Sequence, residues 1–336
     1  MRIVNIEKIR VSIGSASALR LGSIVKFKDL PTTCYIMTHK EGHCTANCGF
    51  CPQARSYQGS EGMLSRVNWP VFSFKDFLTK LKYLRSSQKF ERICIQTLNY
   101  PENIKDLIKI ITHIRNNTDI PISVAIPPTS RENLKELKLI GVERVGIALD
   151  GTTPEIFDDI KGVGVNGPYR WDDHINKLME ALEIFSDGFV STHLIIGLGE
   201  KEKDVIERIE ELHKLKILVS LFAFTPIKGT KFEYKTQPSL LSFRKLQLGR
   251  YLIVEKEKTL KDFTFNMKGI LININISKQD LRNIINNTNA FFTSGCPGCN
   301  RPYYTSKPSG PTYNFPRSLI ENEKEKIFEV LYKIVN

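Results

Sequence analysis

Short apolar runs recur at 33–37, 92–96, 122–126, 144–148, 190–196 and 218–224. They are rich in Ile, Val and Phe, the composition of strands buried in a parallel sheet. Amphipathic segments separate them. Residues 103–117 repeat Ile104, Leu107, Ile108 and Ile111 at helical spacing, and 131–140, 172–185 and 202–215 follow the same rule. Repeated β–α alternation predicts an α/β fold with right-handed crossovers, a parallel sheet and helices outside it. The sheet is either open or closed into a complete or partial TIM-like barrel. In a barrel, working residues sit at the C-terminal ends of the strands.

The alternation stops near residue 235. Beyond it, 240–257 reads as a helix, 263–276 as strand-like, and 278–287 and 322–334 as helices. Residues 286–316 are rich in Asn, Gly, Pro, Ser and Thr and hold two cysteines. The expected division is an N-terminal helical extension over 1–32, a barrel core over 33–235 and a C-terminal extension over 236–336. The first strand is followed by a long loop, 39–69, with three cysteines. Loops longer than about 12–15 residues are uncommon and often functional. The string Gly162-Val-Gly164-Val-Asn-Gly167 spells GxGxxG, but it follows a helical-looking segment and ends at Pro168. A dinucleotide fingerprint must instead link a strand to a helix.

The apolar fraction of 41% and charged fraction of 25% are those of an ordinary globular chain. No apolar run approaches the ~18 residues a membrane span needs. The opening MRIVNIEKIRVSIG has no unbroken apolar stretch, so a cytoplasmic location is expected. The formal charge of +12 favours acidic partners, although solvated lysines on helix faces explain most of it. No block of five basic residues stands out, so neither nucleic acid nor membrane is the expected partner. Seven cysteines, an odd number in a chain expected to be cytosolic, point to metal or catalysis before disulfides.

The decisive string is Cys44-Thr-Ala-Asn-Cys48-Gly-Phe50-Cys51-Pro. Soft thiolates suit iron–sulfur chemistry or zinc. A structural zinc wants four ligands, and His39 or His43 could supply the fourth. Three thiolates on a cubane cluster leave one iron open. CxxxCxxC with an aromatic before the last cysteine resembles the signature of the radical S-adenosylmethionine (SAM) superfamily. Residues 34–230 are similar to its biotin synthase-like branch.

That resemblance implies a [4Fe–4S] cluster on Cys44, Cys48 and Cys51, with SAM on the open iron. Reductive cleavage then gives a 5′-deoxyadenosyl radical that abstracts hydrogen from an unactivated carbon. It implies SAM contacts from Phe50, from Thr97, Leu98 and Asn99, and from Asp150 toward the ribose. It further implies Ile195, Gly197, Glu200, Phe224 and Pro226 on the adenosine side. The stretch Thr97–Asn99 replaces the glycine-rich turn usual in the branch. His174 falls where biotin synthase has an arginine for the SAM carboxylate. His193 shares strand parity with Ile195, so both face the same way.

Biotin synthase also holds a [2Fe–2S] cluster on cysteines from three strands and an arginine. Here Cys94 stands alone on its strand, Ser191 occupies another ligand position and the third strand has no cysteine. Cys94 therefore reads as a small buried hydrophobe. Cys296-Pro-Gly-Cys299 has metal-ligand spacing, with a redox disulfide or zinc half-site as alternatives. An auxiliary iron–sulfur cluster on Cys34, Cys296 and Cys299, with Ser294 as a possible fourth ligand, is expected. This pairing resembles a subunit of the two-component, archaeal-type lipoyl synthase. The resemblance implies sulfur insertion into an octanoyl chain on an acidic carrier protein, a low-potential electron donor and a second radical SAM subunit. The alternatives are a biotin synthase-like enzyme without sulfur insertion, such as a cofactor-maturation lyase or methylating relative, and a non-catalytic zinc or nucleic-acid-binding module.

Overall fold

A computed structural model describes residues 6–22, 25–59, 62–84 and 90–336. The chain opens with β1 (Lys8–Val11), α1 (Ile13–Leu19) and β2 (Thr33–Thr38). A small hairpin, β3 (Met63–Leu64) and β4 (Val67–Asn68), interrupts the cysteine loop, and β5 (Val71–Ser73) and α2 (Phe74–Lys82) follow. The repeating part runs β6 (Arg92–Gln96), α3 (Asn103–Arg115), β7 (Ile122–Ala125), α4 (Arg131–Leu139) and β8 (Val142–Gly146). It continues through α5 (Pro154–Ile160), α6 (Trp171–Phe185), β9 (Val190–Ile196), α7 (Glu202–Lys214) and β10 (Leu218–Ala223). The C-terminal part holds α8 (Leu240–Lys256), the hairpin β11 (Phe263–Phe265) and β12 (Leu271–Ile274), α9 (Lys278–Asn287) and α10 (Glu321–Leu331).

The main sheet has the order β10-β9-β8-β7-β6-β2-β1-β5. Strands β2 and β6 to β10 are parallel, and β1 pairs antiparallel with both β2 and β5. With β10 and β5 as its edges, the sheet is a partial, unclosed barrel. The stretch expected as a helical extension thus also contributes a strand; residues 1–5, 23 and 24 lie outside the described set. The fourth parallel strand begins and ends two residues earlier than its apolar run suggested. Beyond Gly146 the chain leaves the ladder and returns at Asp150, which bridges to Leu194. The strand-like 263–276 is a hairpin with a turn at its centre.

Side-chain alternation sorts the sheet into two cores. On the outer face, Ile93, Ile122, Val145 and Leu194 pack against Leu107, Leu134, Leu178 and Ile209 of the surrounding helices, all fully buried. Burial of each such side chain contributes about 1.5–3 kcal/mol. Phe243, Leu271, Leu281, Phe291 and Leu331 of the C-terminal part join this same core. On the inner face, Tyr35, Met37, Trp69, Cys94 and Leu98 cluster with Cys44, Cys299 and Tyr304.

The segment after α9 is a strap across the strand N-termini. Arg92 Nε donates to Pro297 O at 3.0 Å, and Thr32 and Thr33 hydroxyls donate to Gly298 O at 2.6 and 2.7 Å. At the other side, Leu221 N–H donates to Ser294 Oγ and Asn314 Nδ2 to Leu221 O. The strap floors the partial barrel, while the cysteine loop caps its opposite end. Among the described residues, no helix is long and apolar enough to cross a membrane.

Candidate active site

Cys44, Cys48 and Cys51 all line one interior cavity of about 220 Å³. The loop that carries them is fixed by backbone bonds: Cys44 N–H donates to Gln53 O, Thr45 N–H to Asn99 O and Gly49 N–H to Ile160 O. Two backbone donors point at sulfur, Asn99 N–H at Cys44 (3.1 Å) and Gln53 N–H at Cys51 (3.4 Å). Burial pushes all three thiols up, Cys48 to about 12. A metal displaces such protons, and an iron core supplies the positive charge that a buried thiolate needs. Among the described residues, no three His, Cys, Asp or Glu side chains gather tightly enough for a single ion. A cluster spreads its thiolates over separate irons, so it does not need that convergence. The donor set therefore fits a [4Fe–4S] cluster.

The same cavity is lined by Thr97, Leu98 and Asn99 after β6, by Asp150 and Lys161, and by His174 and His193. Asp150 takes a left-handed conformation (φ 63°) just beyond β8. Its carboxylate receives Lys161 Nζ at 2.7 Å on one oxygen and His193 Nε2 at 2.7 Å on the other. Burial alone would raise this carboxyl, but Lys161 and His193 outweigh it and hold it well below the usual carboxylate range. His174 is different. It is fully buried on α6, with Nδ1 3.1 Å from Arg170 O and the rings of Phe157 and Tyr169 edge-on to it. Burial, helped by nearby Lys161, pushes it down to about 3, so the imidazole is neutral at pH 7.

A smaller, mostly apolar chamber of about 150 Å³ adjoins this cavity and shares Phe50, Cys51, Leu64, Gln96, Asp150, His193 and Arg301 with it. Ile195, Phe222 and Phe224 complete its apolar wall. Gly197, Glu200 and Pro226 line neither space. Glu200 instead accepts the N–H groups of Gly197 (2.6 Å) and Leu198 (2.9 Å), capping the turn after β9.

The auxiliary thiols are placed differently from the expectation. Cys34 lies on the outer face of β2, fully buried among helix-side residues. Its neighbour Tyr35 is the residue in register with Cys94, so Tyr35 and Cys94 point inward and Cys34 outward. The structure brings Cys94, rather than Cys34, to the strap cysteines. Cys94 and Cys296 line the large cavity, and Cys299 joins the inner core with Tyr35 Oη 3.5 Å from its sulfur. Ser294 does not line the cavity; its hydroxyl accepts the β10 backbone. Ser123 is in register with Cys94 on the neighbouring strand, and Ser191 lines the same wall.

Arg301, not anticipated from sequence, belongs to this group. Its backbone N–H donates to Tyr35 Oη (3.0 Å), and its guanidinium lies over Phe222, 4.6 Å from the ring centroid. Burial opposes its charge, but Cys299 and Cys94 outweigh that and raise it above the ordinary arginine value. Burial holds Cys94 up at about 11 despite Arg301. The signal for Arg301 was present in the sequence, two residues after Cys299, but only the strap's position gives it meaning.

A partial parallel barrel with a three-thiol loop after its first parallel strand defines the class. The radical SAM superfamily profile matches residues 42–212, just over half of the chain, and the chain belongs to that family. Within it the chain is similar to biotin synthases. The biotin synthase of Campylobacter hominis is 28% identical over 204 residues, covering 60% of this chain and 59% of that one. The chain thus spans about three fifths of the length of the first curated relatives it matches. The biotin synthase of Thermotoga petrophila is 26% identical over 87% of this chain and 89% of its own length. The FeFe-hydrogenase maturase HydG from Carboxydothermus hydrogenoformans shares the fold, with a TM-score of 0.50 at 21% identity over 64% of this chain and 49% of that one. Radical SAM membership sets aside the zinc or nucleic-acid module.

Proposed function

We propose that this chain is a radical SAM sulfurtransferase of the lipoyl synthase kind, inserting sulfur at an unactivated C–H of an octanoyl chain. The observation that carries this reading is the pair of thiol groups in one cavity. Cys44, Cys48 and Cys51 approach from the cap, and Cys94 and Cys296 line the floor side beside Arg301, with Cys299 in the adjoining inner core. In this reading the first set holds the [4Fe–4S] cluster, and the second holds an auxiliary iron–sulfur centre. When bound, these groups with SAM supply a hydrogen-abstracting radical and a sulfur source.

The chain's own residues do the rest. Asp150, kept ionised by Lys161 and His193, accepts hydrogen bonds from a polar ligand such as ribose. Phe50 and Ile195 give the adenosine an apolar bed. The apolar chamber behind Phe222 and Phe224 suits a hydrocarbon chain and excludes water from a reactive carbon. The +12 charge suits an acidic carrier protein. A low-potential electron donor and a second radical SAM subunit complete the proposed partners.

Iron and sulfide analysis of anaerobically reconstituted protein tests the two-centre reading. Wild type is expected to hold clearly more than four irons per chain, and Cys296→Ala about four. Equal iron in both removes the auxiliary centre. Mass spectrometry of an octanoylated carrier protein tests the chemistry. Absence of a thiolated product, with the partner chain supplied, leaves a biotin synthase-like enzyme without sulfur insertion.

A further inference from the structure

The glycine string at 162–167 follows α5 and does not join a strand to a helix as a dinucleotide fingerprint does, yet its geometry is exacting. A Cβ on Gly167 would lie 2.0 Å from Lys161 O, and one on Gly162 would lie 2.3 Å from Asp158 Oδ1. The first of these contacts is to backbone, so no larger residue fits at 167 without moving the chain. Gly167 N–H donates to Gly162 O at 2.7 Å, closing the loop on itself. The loop is also tied to the cysteine loop. Gly49 N–H donates to Ile160 O, Asn47 Nδ2 to Val165 O and Arg55 Nη2 to Asn166 O.

This tight turn turns Lys161 inward. Its side chain is only 5% exposed, a rare fate for lysine. Nζ donates to Ala148 O at 2.8 Å and to Asp150 Oδ2 at 2.7 Å, and it lies 5.0 Å from the centroid of Tyr169. An ammonium has three donors. Among the described residues two acceptors are in reach, which leaves one donor for the cavity. The other Asp150 oxygen lies 2.7 Å from His193 Nε2, so the lysine is not that carboxylate's sole partner.

Two cations line the large cavity among the described residues, Lys161 and Arg301. Arg301 faces the floor thiols. Lys161 stands on the wall with Cys44, Cys48, Asn99 and Tyr169. His174, where the resemblance implies the carboxylate contact, is held by Arg170 O and three-sided by rings and backbone. We propose that Lys161 holds the carboxylate of SAM in this chain, and that the 162–167 turn exists to present it. This inference rests on the cluster reading of Cys44, Cys48 and Cys51, and not on the octanoyl substrate.

Equilibrium dialysis on anaerobically reconstituted protein tests it, comparing SAM with its decarboxylated analogue. Lys161→Met is expected to weaken SAM binding about 10- to 100-fold, the equivalent of one hydrogen bond to a charged group. Binding of the decarboxylated analogue should change little, so the wild-type preference for SAM shrinks by the same factor. Lys161→Arg should restore most of it, with equal iron content throughout. Lys161→Gln reads the same comparison if the Met variant fails to take up iron. An unchanged preference, or equal loss of both ligands at full iron content, overturns the proposal. A wild-type protein that takes up no cluster would instead sink the cluster reading.

Discussion

His174 and Lys161 share a cavity wall but have different neighbours. Lys161 has the Asp150 carboxylate 2.7 Å from its Nζ, whereas His174 has only a carbonyl and aromatic edges, and burial keeps it neutral. A histidine whose folded value falls from about 6.5 to about 3 binds fewer protons folded than unfolded between those limits. Its stabilisation is therefore full above pH ~6.5 and is lost as pH falls toward 3, at up to about 1.4 kcal/mol per pH unit. Asp150, also depressed, loses its contribution only below pH ~4. Denaturant midpoints at pH 7 and pH 5 should thus fall more steeply for wild type than for His174→Phe; parallel slopes in the two proteins refute the assignment. The cysteines show what one residue of phase decides. Cys34 and Cys94 are both strand cysteines in apolar company; the resemblance set Cys94 at a ligand position, but without its strand partners it read as a small buried hydrophobe. The register that sets Tyr35 opposite Cys94 is a long-range fact, and it turns Cys34 out of the site.

At the scale of elements, the close contact of α7 and α8 makes a sharp prediction. A Cβ on Gly249 would lie 2.4 Å from Ile206 Cδ1, the tip of a fully buried side chain. Gly249→Ala should cost about 1–3 kcal/mol by overpacking. Ile206→Val removes the offending methyl, so urea unfolding of the double variant should show recovery relative to the sum of the single effects. Strict additivity would mean the helices simply move apart. The parallel strands were legible because each is a compact Ile- and Val-rich run buried by helices. Strands β1, β3, β4 and β5 were not, since they are two to four residues long and antiparallel. The displaced limits of β8 have a similar cause: Val142 and Val145 serve the outer core, while Ile147 and Leu149 are equally buried beyond the ladder. The glycine string was seen and its dinucleotide role excluded, but its work as a lysine-presenting turn needs the contact between Gly167 and Lys161 O.

For the whole molecule, the central feature is a single cavity built from distant parts of the chain. Its cap comes from the loop after β2 and its floor from the strap after α9, with Cys94 between them on β6. The strap belongs to the common core through Phe291, Tyr313 and Phe315, so floor and barrel fold as one body. That union explains how a chain lacking the other strand cysteines of biotin synthase still gathers thiols at the barrel's interior. It also explains why the cap motif was readable locally while the floor was not: CxxxCxxC is complete within eight residues, whereas the floor joins positions about two hundred residues apart. The central claim is that the cap thiols make this a radical SAM enzyme. Quantifying 5′-deoxyadenosine by mass spectrometry, after dithionite reduction of anaerobically reconstituted protein with SAM, tests it most directly. The account predicts 5′-deoxyadenosine from wild type and none from the Cys44→Ala/Cys48→Ala/Cys51→Ala protein; equal amounts from both, or none from a cluster-loaded wild type, would contradict it.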